Sequence, residues 1–125
     1  MHIQRKAKVL VVDGEPNILM SLEFLMRKSG YEVFIARDGA EALQLVHEQR
    51  PNVLVLDAMM PEADGYKVCR LIKANPDLKQ TRVIFLSAKN KESDIEKGYA
   101  AGADLYLTKP FSTKELVKRI QEFLP

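Results

Sequence analysis

The sequence predicts an α/β fold in which a doubly wound, five-stranded parallel sheet carries helices on both faces. Two observations indicate this. Short apolar runs alternate five times with stretches of helical periodicity, and short loops join them. The strand-sized runs are almost continuously apolar, which is typical of parallel strands that are buried on both faces. Because right-handed crossovers connect such strands, doubly wound orders are the main arrangements that remain.

The first half of the chain contains three predicted strands and two predicted helices. Pro16 stands at the start of the first helix, and Gly30 ends it. The second helix is marked by Ala42, Leu43 and Val46, and Pro51 closes it. The segment 61–65 is predicted as a loop. The three predicted strands are residues 7–12, 32–37 and 52–60.

The second half contains the remaining elements. In the third helix we expect Val68, Leu71 and Ile72 to point inward and Tyr66 to be partly exposed. The fourth helix, over 91–101, is weak because it contains Gly98 and few apolar positions. The last helix is capped by Ser112, with Glu115 in the capping-box position. The two remaining predicted strands are residues 82–87 and 104–108.

Composition predicts one domain over residues 7–125, preceded by a disordered tail over residues 1–6. A net charge of +2 without a run of basic residues argues against nucleic-acid binding. We expect no membrane association, because the chain has no apolar run near the roughly 20 residues of a membrane span. Its single cysteine, Cys69, cannot form an internal disulfide, so a reducing, cytoplasmic location is expected.

Polar residues follow four of the predicted strands. They are Asp13, Asp57, Ser87 and Lys109, and open α/β sheets bind ligands at this edge. Two neighbouring carboxylates repel one another unless a cation lies between them, and oxygen ligands of this kind suit Mg²⁺. A carboxylate can also act as a nucleophile and form an aspartyl-phosphate. Lys109 and the Ser87 hydroxyl could then stabilise the charge on the phosphoryl oxygens.

Four sequence blocks in this order resemble the receiver domains of two-component signalling: VLVVDGEPNI, VLVLDAMMPEADGY, IFLSAK and GADLYLTKPFS. The resemblance covers roughly residues 7 to 124 and implies the flavodoxin-like strand order 2-1-3-4-5. It implies that Asp57 accepts the phosphoryl group, that Ser87 contacts this group, and that Lys109 pairs with it. It also implies that Asp13, Asp57 and the backbone carbonyl of Met59 hold Mg²⁺.

The resemblance further implies a switch and its partners. Tyr106 would turn inward when Ser87 moves toward the phosphoryl group, and Pro110 would follow a cis peptide bond. The donor would be a sensor histidine kinase or a phosphotransfer protein, and the chain would catalyse only its own phosphorylation and dephosphorylation. The fourth helix, fifth strand and fifth helix would form the output surface, through which a homodimer could assemble. Candidate charges for pairing across such a dimer are Lys91, Glu96, Asp104, Glu115 and Arg119.

One position departs from the family pattern. Receivers usually carry two adjacent acidic residues after the first strand, and the second of them is commonly a metal ligand. Here that position is Gly14, and Glu15 is a candidate substitute ligand. The departure keeps open a pseudo-receiver, an interaction module on the same fold that is not phosphorylated.

Two other protein classes fit the sequence less well. A flavodoxin-type flavin binder would need a loop that accepts phosphate after the first strand, whereas residues 13–17, DGEPN, are acidic. A phosphatase of the haloacid-dehalogenase type would place its nucleophile in a DxD pattern there, which Asp13-Gly14-Glu15 matches poorly.

Overall fold

The computed structural model describes residues 6–60 and 63–124. This part of the chain contains five helices and seven strands. The strands are β1 Lys8–Val12, β2 Glu32–Ala36, β3 Val53–Leu56, β4 Met59–Met60, β5 Ala63–Asp64, β6 Arg82–Ser87 and β7 Leu105–Thr108. The helices are α1 Pro16–Lys28, α2 Gly39–Gln49, α3 Gly65–Ala74, α4 Glu92–Ala100 and α5 Thr113–Phe123.

Five of the strands form one parallel sheet in the order β2-β1-β3-β6-β7. When only these five are counted, the order is 2-1-3-4-5, so the predicted fold is confirmed. The reversal of winding direction lies between β1 and β3, which pair directly. This is the place at which open α/β sheets leave a crevice for a ligand.

Side chains that alternate along the strands divide the core into two layers. Leu10 of β1 and Leu54 of β3 face α2, α3 and α4, where they pack with buried residues such as Ile72. Val9 and Val53, one position earlier, face α1 and α5. Because successive side chains of a strand point to opposite faces, a continuous apolar run serves both layers at once.

Residues 59–64 differ from the prediction. The predicted strand 52–60 ends at Leu56, and Met59–Met60 instead pairs with Ala63–Asp64 as a short antiparallel hairpin outside the main sheet. Apolar residues at 58–60 made the strand look longer than it is. Residues 61 and 62, which belong to the predicted loop 61–65, lie outside the described residues.

Two predictions about α3 were wrong. Leu71, expected to point inward, is 48% exposed, and Tyr66, expected to be partly exposed, is only 1% exposed. The buried face of α3 is formed instead by Tyr66, Val68, Cys69 and Ile72. Tyr66 therefore belongs to the core, where the centroid of its ring lies 5.4 Å from the centroid of the Phe85 ring.

Asp104 forms ion pairs within the chain, and its proposed use in a dimer stays a prediction. Its carboxylate binds Lys73 Nζ at 2.9 Å and Arg82 at 3.2 Å, and it accepts a hydrogen bond from the Val83 N–H at 2.8 Å. Burial would raise the pKa of Asp104, but the Val83 N–H and the two cations outweigh it and lower the pKa. The cluster ties the end of α3 to the beginnings of β6 and β7.

The predicted tail, apart from Lys6, lies outside the described residues. Ser112 caps α5 as predicted, since its Oγ accepts the Glu115 N–H.

Within the part of the chain that the structure describes, no helix combines the length and the apolar character that crossing a membrane requires.

Candidate active site

The carboxyl ends of β1 and β3 place two carboxylates side by side. Asp13 follows β1 directly, and its N–H donates to the Ala36 carbonyl at 3.3 Å. Asp57 follows β3, and its N–H donates to the Val12 carbonyl at 3.1 Å. Each acid thus continues the ladder of its strand by one bond, which positions its side chain at the switch point of the sheet.

Lys109, from the loop after β7, joins the two carboxylates. Its Nζ lies 2.9 Å from Asp13 Oδ2 and 3.2 Å from Asp57 Oδ2. The three side chains are only 15%, 3% and 10% exposed for Lys109, Asp13 and Asp57. Burial would lower the pKa of Lys109, but its bond to Asp13 and the charges of both acids outweigh this and raise the pKa. Lys109 is therefore a cation throughout the physiological range.

The second oxygen of each carboxylate is held by the backbone. Asp13 Oδ1 accepts the Glu15 N–H at 2.9 Å, and Asp57 Oδ1 accepts the Met59 N–H at 2.9 Å. These bonds fix the orientation of both carboxylates and leave each Oδ2 directed at Lys109. A preorganised arrangement of this kind favours chemistry at a defined oxygen.

Ser87 completes the group at the end of β6. It is fully buried, and its Oγ accepts the Lys89 N–H at 3.1 Å. Its carbonyl accepts the Lys109 N–H at 2.8 Å, so the backbone connects the hydroxyl-bearing strand to the lysine. The Lys109–Pro110 peptide bond is cis, as the resemblance implies. The four predicted strand-end residues thus lie at the same edge of the sheet.

Sequence reasoning missed Gly65, which supports Asp57 from the start of α3. A β carbon at this position would overlap the Asp57 carbonyl oxygen and would lie 2.9 Å from the Ala58 Cα. Only glycine allows the helix to approach the backbone beside Asp57 so closely. The preceding Asp64 caps α3 by accepting the Tyr66 N–H at 2.9 Å. An Asp-Gly pair before a helical pattern was the available signal.

The donor set fits a weakly held divalent cation. Asp13 and Asp57 offer carboxylate oxygens that share a single ammonium group, so the cluster retains one negative charge. Hard oxygen donors of this kind suit Mg²⁺, which keeps several waters when the protein supplies few ligands. Glu15 is exposed, and among residues 6–60 and 63–124 no three acidic, histidine or cysteine side chains converge as a metal cluster. Whether Glu15 serves as a ligand stays a prediction.

Tyr106 lies inward, behind Ser87. Its hydroxyl donates to the Lys89 carbonyl at 2.8 Å, and the centroids of its ring and the Phe85 ring lie 5.6 Å apart. The backbone of Lys89 therefore bonds Ser87 through its N–H and Tyr106 through its carbonyl. Gly98 of α4 lies directly against the Tyr106 ring. These contacts connect Ser87 through Lys89 to Tyr106, and Tyr106 to α4.

Residues 9–121 match the family model described as the response regulator receiver domain. The solved structure of chemotaxis protein CheY4 of Vibrio cholerae is 32% identical with a TM-score of 0.89, over 96% of this chain and 100% of that one. The receiver domain of Francisella response regulator 1452 is 34% identical with a TM-score of 0.86, over 94% and 95% of the two chains. The BeF3-activated DrrB receiver domain is 34% identical with a TM-score of 0.87, over 95% and 97%.

Proposed function

The chain belongs to the response regulator receiver domain family, and we propose that it accepts a phosphoryl group on Asp57. The observation that carries the proposal is the pair of contacts that Lys109 makes with Asp13 and Asp57 at 2.9 and 3.2 Å. A solvated strand end would not require a buried lysine that reaches two carboxylates from a distant part of the chain.

The proposed transfer uses the oxygen of Asp57 that the backbone leaves free. Oδ2 attacks the phosphorus of the donor, a P–O bond forms to Asp57, and the bond from phosphorus to the leaving atom breaks. With a phosphohistidine donor the leaving group is the imidazole nitrogen, which keeps the electron pair of the broken bond. Lys109 and the Ser87 hydroxyl then face the phosphoryl oxygens, where positioned cations and donors lower the barrier.

Mg²⁺ would be held by Asp13, Asp57 and the Met59 carbonyl, and when bound it supplies positive charge to the phosphoryl oxygens. Gly14 removes one carboxylate from the usual set. Loss of a supporting partner of a metal site typically costs about 10–100-fold in affinity, so weak binding is expected. Glu15 remains the candidate that could restore the lost ligand.

The partner of this reaction is proposed to be a sensor histidine kinase or a phosphotransfer protein. The output is proposed to pass through α4, β7 and α5, because Lys89 connects Ser87 to Tyr106 and Tyr106 packs against α4. The BeF3-activated DrrB receiver domain, which shares this fold, indicates that beryllofluoride is a suitable mimic for testing the switch.

Intact-mass spectrometry tests the transfer. Acetyl phosphate or phosphoramidate with Mg²⁺ should add the mass of one phosphoryl group to the wild type and none to Asp57→Asn. Asp77→Asn is the matched control, because Asp77 is an exposed carboxylate away from the site and its loss should leave the modification intact.

A second function, the pseudo-receiver, is favoured by one observation, the glycine at position 14. It predicts that neither the wild type nor any of these variants gains mass at saturating donor and Mg²⁺. That result would replace phosphorylation by an interaction role on the same fold.

A further inference from the structure

We infer that the amino-terminal edge of the sheet binds a small anion with two adjacent phosphoryl groups, either free diphosphate or the diphosphate of a nucleotide. A groove crosses this edge in two adjoining parts of about 650 and 730 Å³, and Arg50 and Asn52 line both parts. The strands end at the opposite edge, which carries Asp57. The inference is therefore independent of the proposed phosphorylation.

The groove is lined by more cations than carboxylates. Among the described lining residues two are acidic and five are basic, and the basic ones are Lys6, Lys8, Arg50, Lys79 and Arg82. Arg50 follows α2 directly and Lys79 belongs to the loop before β6. Both are exposed. A concave surface with an excess of one charge raises the local concentration of ligands of the opposite charge, so this groove favours anions.

The ends of helices explain only part of this positive charge. A helix C-terminus favours nearby cations, and Lys8 has this role, since its Nζ donates to the carbonyl of Gln49, the last residue of α2, at 3.3 Å. Arg82 is bound to Asp104 at 3.2 Å. Arg50 and Lys79, in contrast, form no ion pair with any of the residues that the structure describes. Their charges are available to a ligand.

Arg50 has a backbone conformation that arginine rarely adopts. Its φ of 47° lies in the left-handed region, where helix ends usually carry glycine because a β carbon is unfavourable there. Residues that are held in such conformations cluster at functional sites. The backbone at this position does not explain an arginine, whereas a ligand bound by its guanidinium group does.

Asn52 supplies a neutral donor between the two parts of the groove. Its N–H donates to the Lys8 carbonyl at 2.9 Å and its carbonyl accepts the Arg82 N–H at 3.0 Å, so its backbone is fixed between β1 and β6. Its Oδ1 accepts the Lys8 N–H at 2.9 Å, which leaves the side-chain amide nitrogen to donate. A donor that the sheet already holds in place loses little freedom when a ligand binds.

The donor set selects phosphoryl groups. Guanidinium and ammonium groups donate and cannot accept, so they favour a fully ionised oxyanion, and a guanidinium group can bind two phosphate oxygens at once. Two adjacent phosphoryl groups carry more negative charge than a carboxylate does. With Arg50 and Asn52 between them, one phosphoryl group can face each part of the groove, whereas a single phosphate reaches only one.

Titration of the ¹⁵N-labelled chain in EDTA, which keeps Mg²⁺ away from Asp13 and Asp57, tests the inference. Diphosphate and ADP should shift the amide signals of Arg50, Asn52 and Lys79. Orthophosphate and tetraglutamate should bind at least about fivefold more weakly, since they lose charge-assisted hydrogen bonds. Tighter binding of ADP than of diphosphate would assign the groove to a nucleotide, and equal binding would assign it to the diphosphate group alone.

Variants of the chain locate the contact. Arg50→Gly should weaken diphosphate about fivefold or more without lowering the unfolding temperature, because glycine suits the left-handed position. Lys79→Gln should weaken diphosphate on the same scale. Asp77→Asn removes a carboxylate from the lining and should tighten it. Lys118→Gln is the matched control, an exposed lysine of α5 on another surface, and it should have no effect.

Four results would overturn the inference. They are shifts confined to the loops that carry Asp57 and Lys109, tetraglutamate binding as tight as that of diphosphate, no shifts at millimolar diphosphate, or equal weakening by Lys118→Gln and Arg50→Gly. None of them bears on whether Asp57 accepts a phosphoryl group, because the titration contains neither Mg²⁺ nor a phosphoryl donor for that site.

Discussion

Replacement of Gly98 by alanine tests how tightly α4 is packed against Tyr106. A β carbon at position 98 would stand 2.6 Å from Cδ2 and 3.0 Å from Cε2 of the Tyr106 ring, with Phe85 Cδ2 at 3.4 Å. The ring cannot retreat freely, because Phe85 packs nearby and the Tyr106 hydroxyl is bonded to the Lys89 carbonyl. Gly98→Ala must therefore shift α4 or displace Tyr106.

The expected magnitude follows from two opposing effects. Overpacking of this kind costs about 1–3 kcal/mol, whereas glycine to alanine within a helix stabilises by about 1 kcal/mol. Gly98→Ala should therefore destabilise the wild type by about 0–2 kcal/mol. In a Tyr106→Ala background the overlap is gone, and the same change should stabilise by up to about 1 kcal/mol.

Urea unfolding of the four proteins in this double-mutant cycle measures the coupling, which we expect to be about 1–3 kcal/mol. Beryllofluoride with Mg²⁺ provides a second readout, because the displaced ring should weaken the chemical-shift response of α4. Equal stabilisation by Gly98→Ala in both backgrounds would refute the close packing and, with it, the route from Ser87 to α4.

Three further predictions concern the charges of the molecule. Gly14→Asp should tighten Mg²⁺ by about tenfold or more and speed phosphorylation at low metal, as a metal titration would show. Equal Mg²⁺ affinity of the wild type and Gly14→Asp would show that the glycine at position 14 does not weaken metal binding. Asp104→Asn should lower the free energy of unfolding by about 2 kcal/mol near neutral pH, since hydrogen bonds to charged groups contribute on this scale. Because the folded pKa of Asp104 is lowered, the wild-type advantage holds above the ordinary pKa of 3.8 and disappears as the pH falls through the lowered value. Thermal unfolding of the wild type and Asp104→Asn at a series of pH values measures this dependence. A difference in stability that stays constant down to low pH would show that the ion pairs of Asp104 do not stabilise the fold. Lys109→Met should lower the free energy of unfolding by about 3 kcal/mol. Added Mg²⁺ should restore most of this stability. Since the pKa of Lys109 is raised, its contribution is complete below the unfolded value of roughly 10.4 and is lost as the pH rises through the folded one. A stability difference that already shrinks between pH 7 and 9 would contradict this.

The parallel sheet and the edge that carries the site were predictable from local pattern. A continuous apolar run such as 53–56 is compatible with few environments, and the alternation of such runs with helical periodicity restricts the topology. Asp13, Asp57, Ser87 and Lys109 interrupt this pattern at equivalent points. Their meeting at one edge follows from parallel pairing, so their positions required no knowledge of side-chain packing.

Which neighbour covers each face was not predictable in this way. The periodicity of α3 predicted that Leu71 points inward and that Tyr66 is partly exposed. In the structure Tyr66 is buried against Phe85 and Leu71 is exposed. In the same way, Asp104 looks like a surface charge until Lys73 and Arg82 are brought to it. Partners separated by many residues in the chain leave no local signal.

The closest approaches and the open surfaces arise only when the elements pack together. Gly65 lies against the Asp57 backbone and Gly98 lies against the Tyr106 ring, and Phe24 and Phe111 line a groove between α1 and the loop after β7. Each of these features depends on the distance between two packed elements. Hydrophobic periodicity specifies which side of a helix is apolar, and it does so locally. The spacing between helices and the part of an apolar side left uncovered are set by the packing of the whole core, because they are properties of pairs of elements rather than of any single segment.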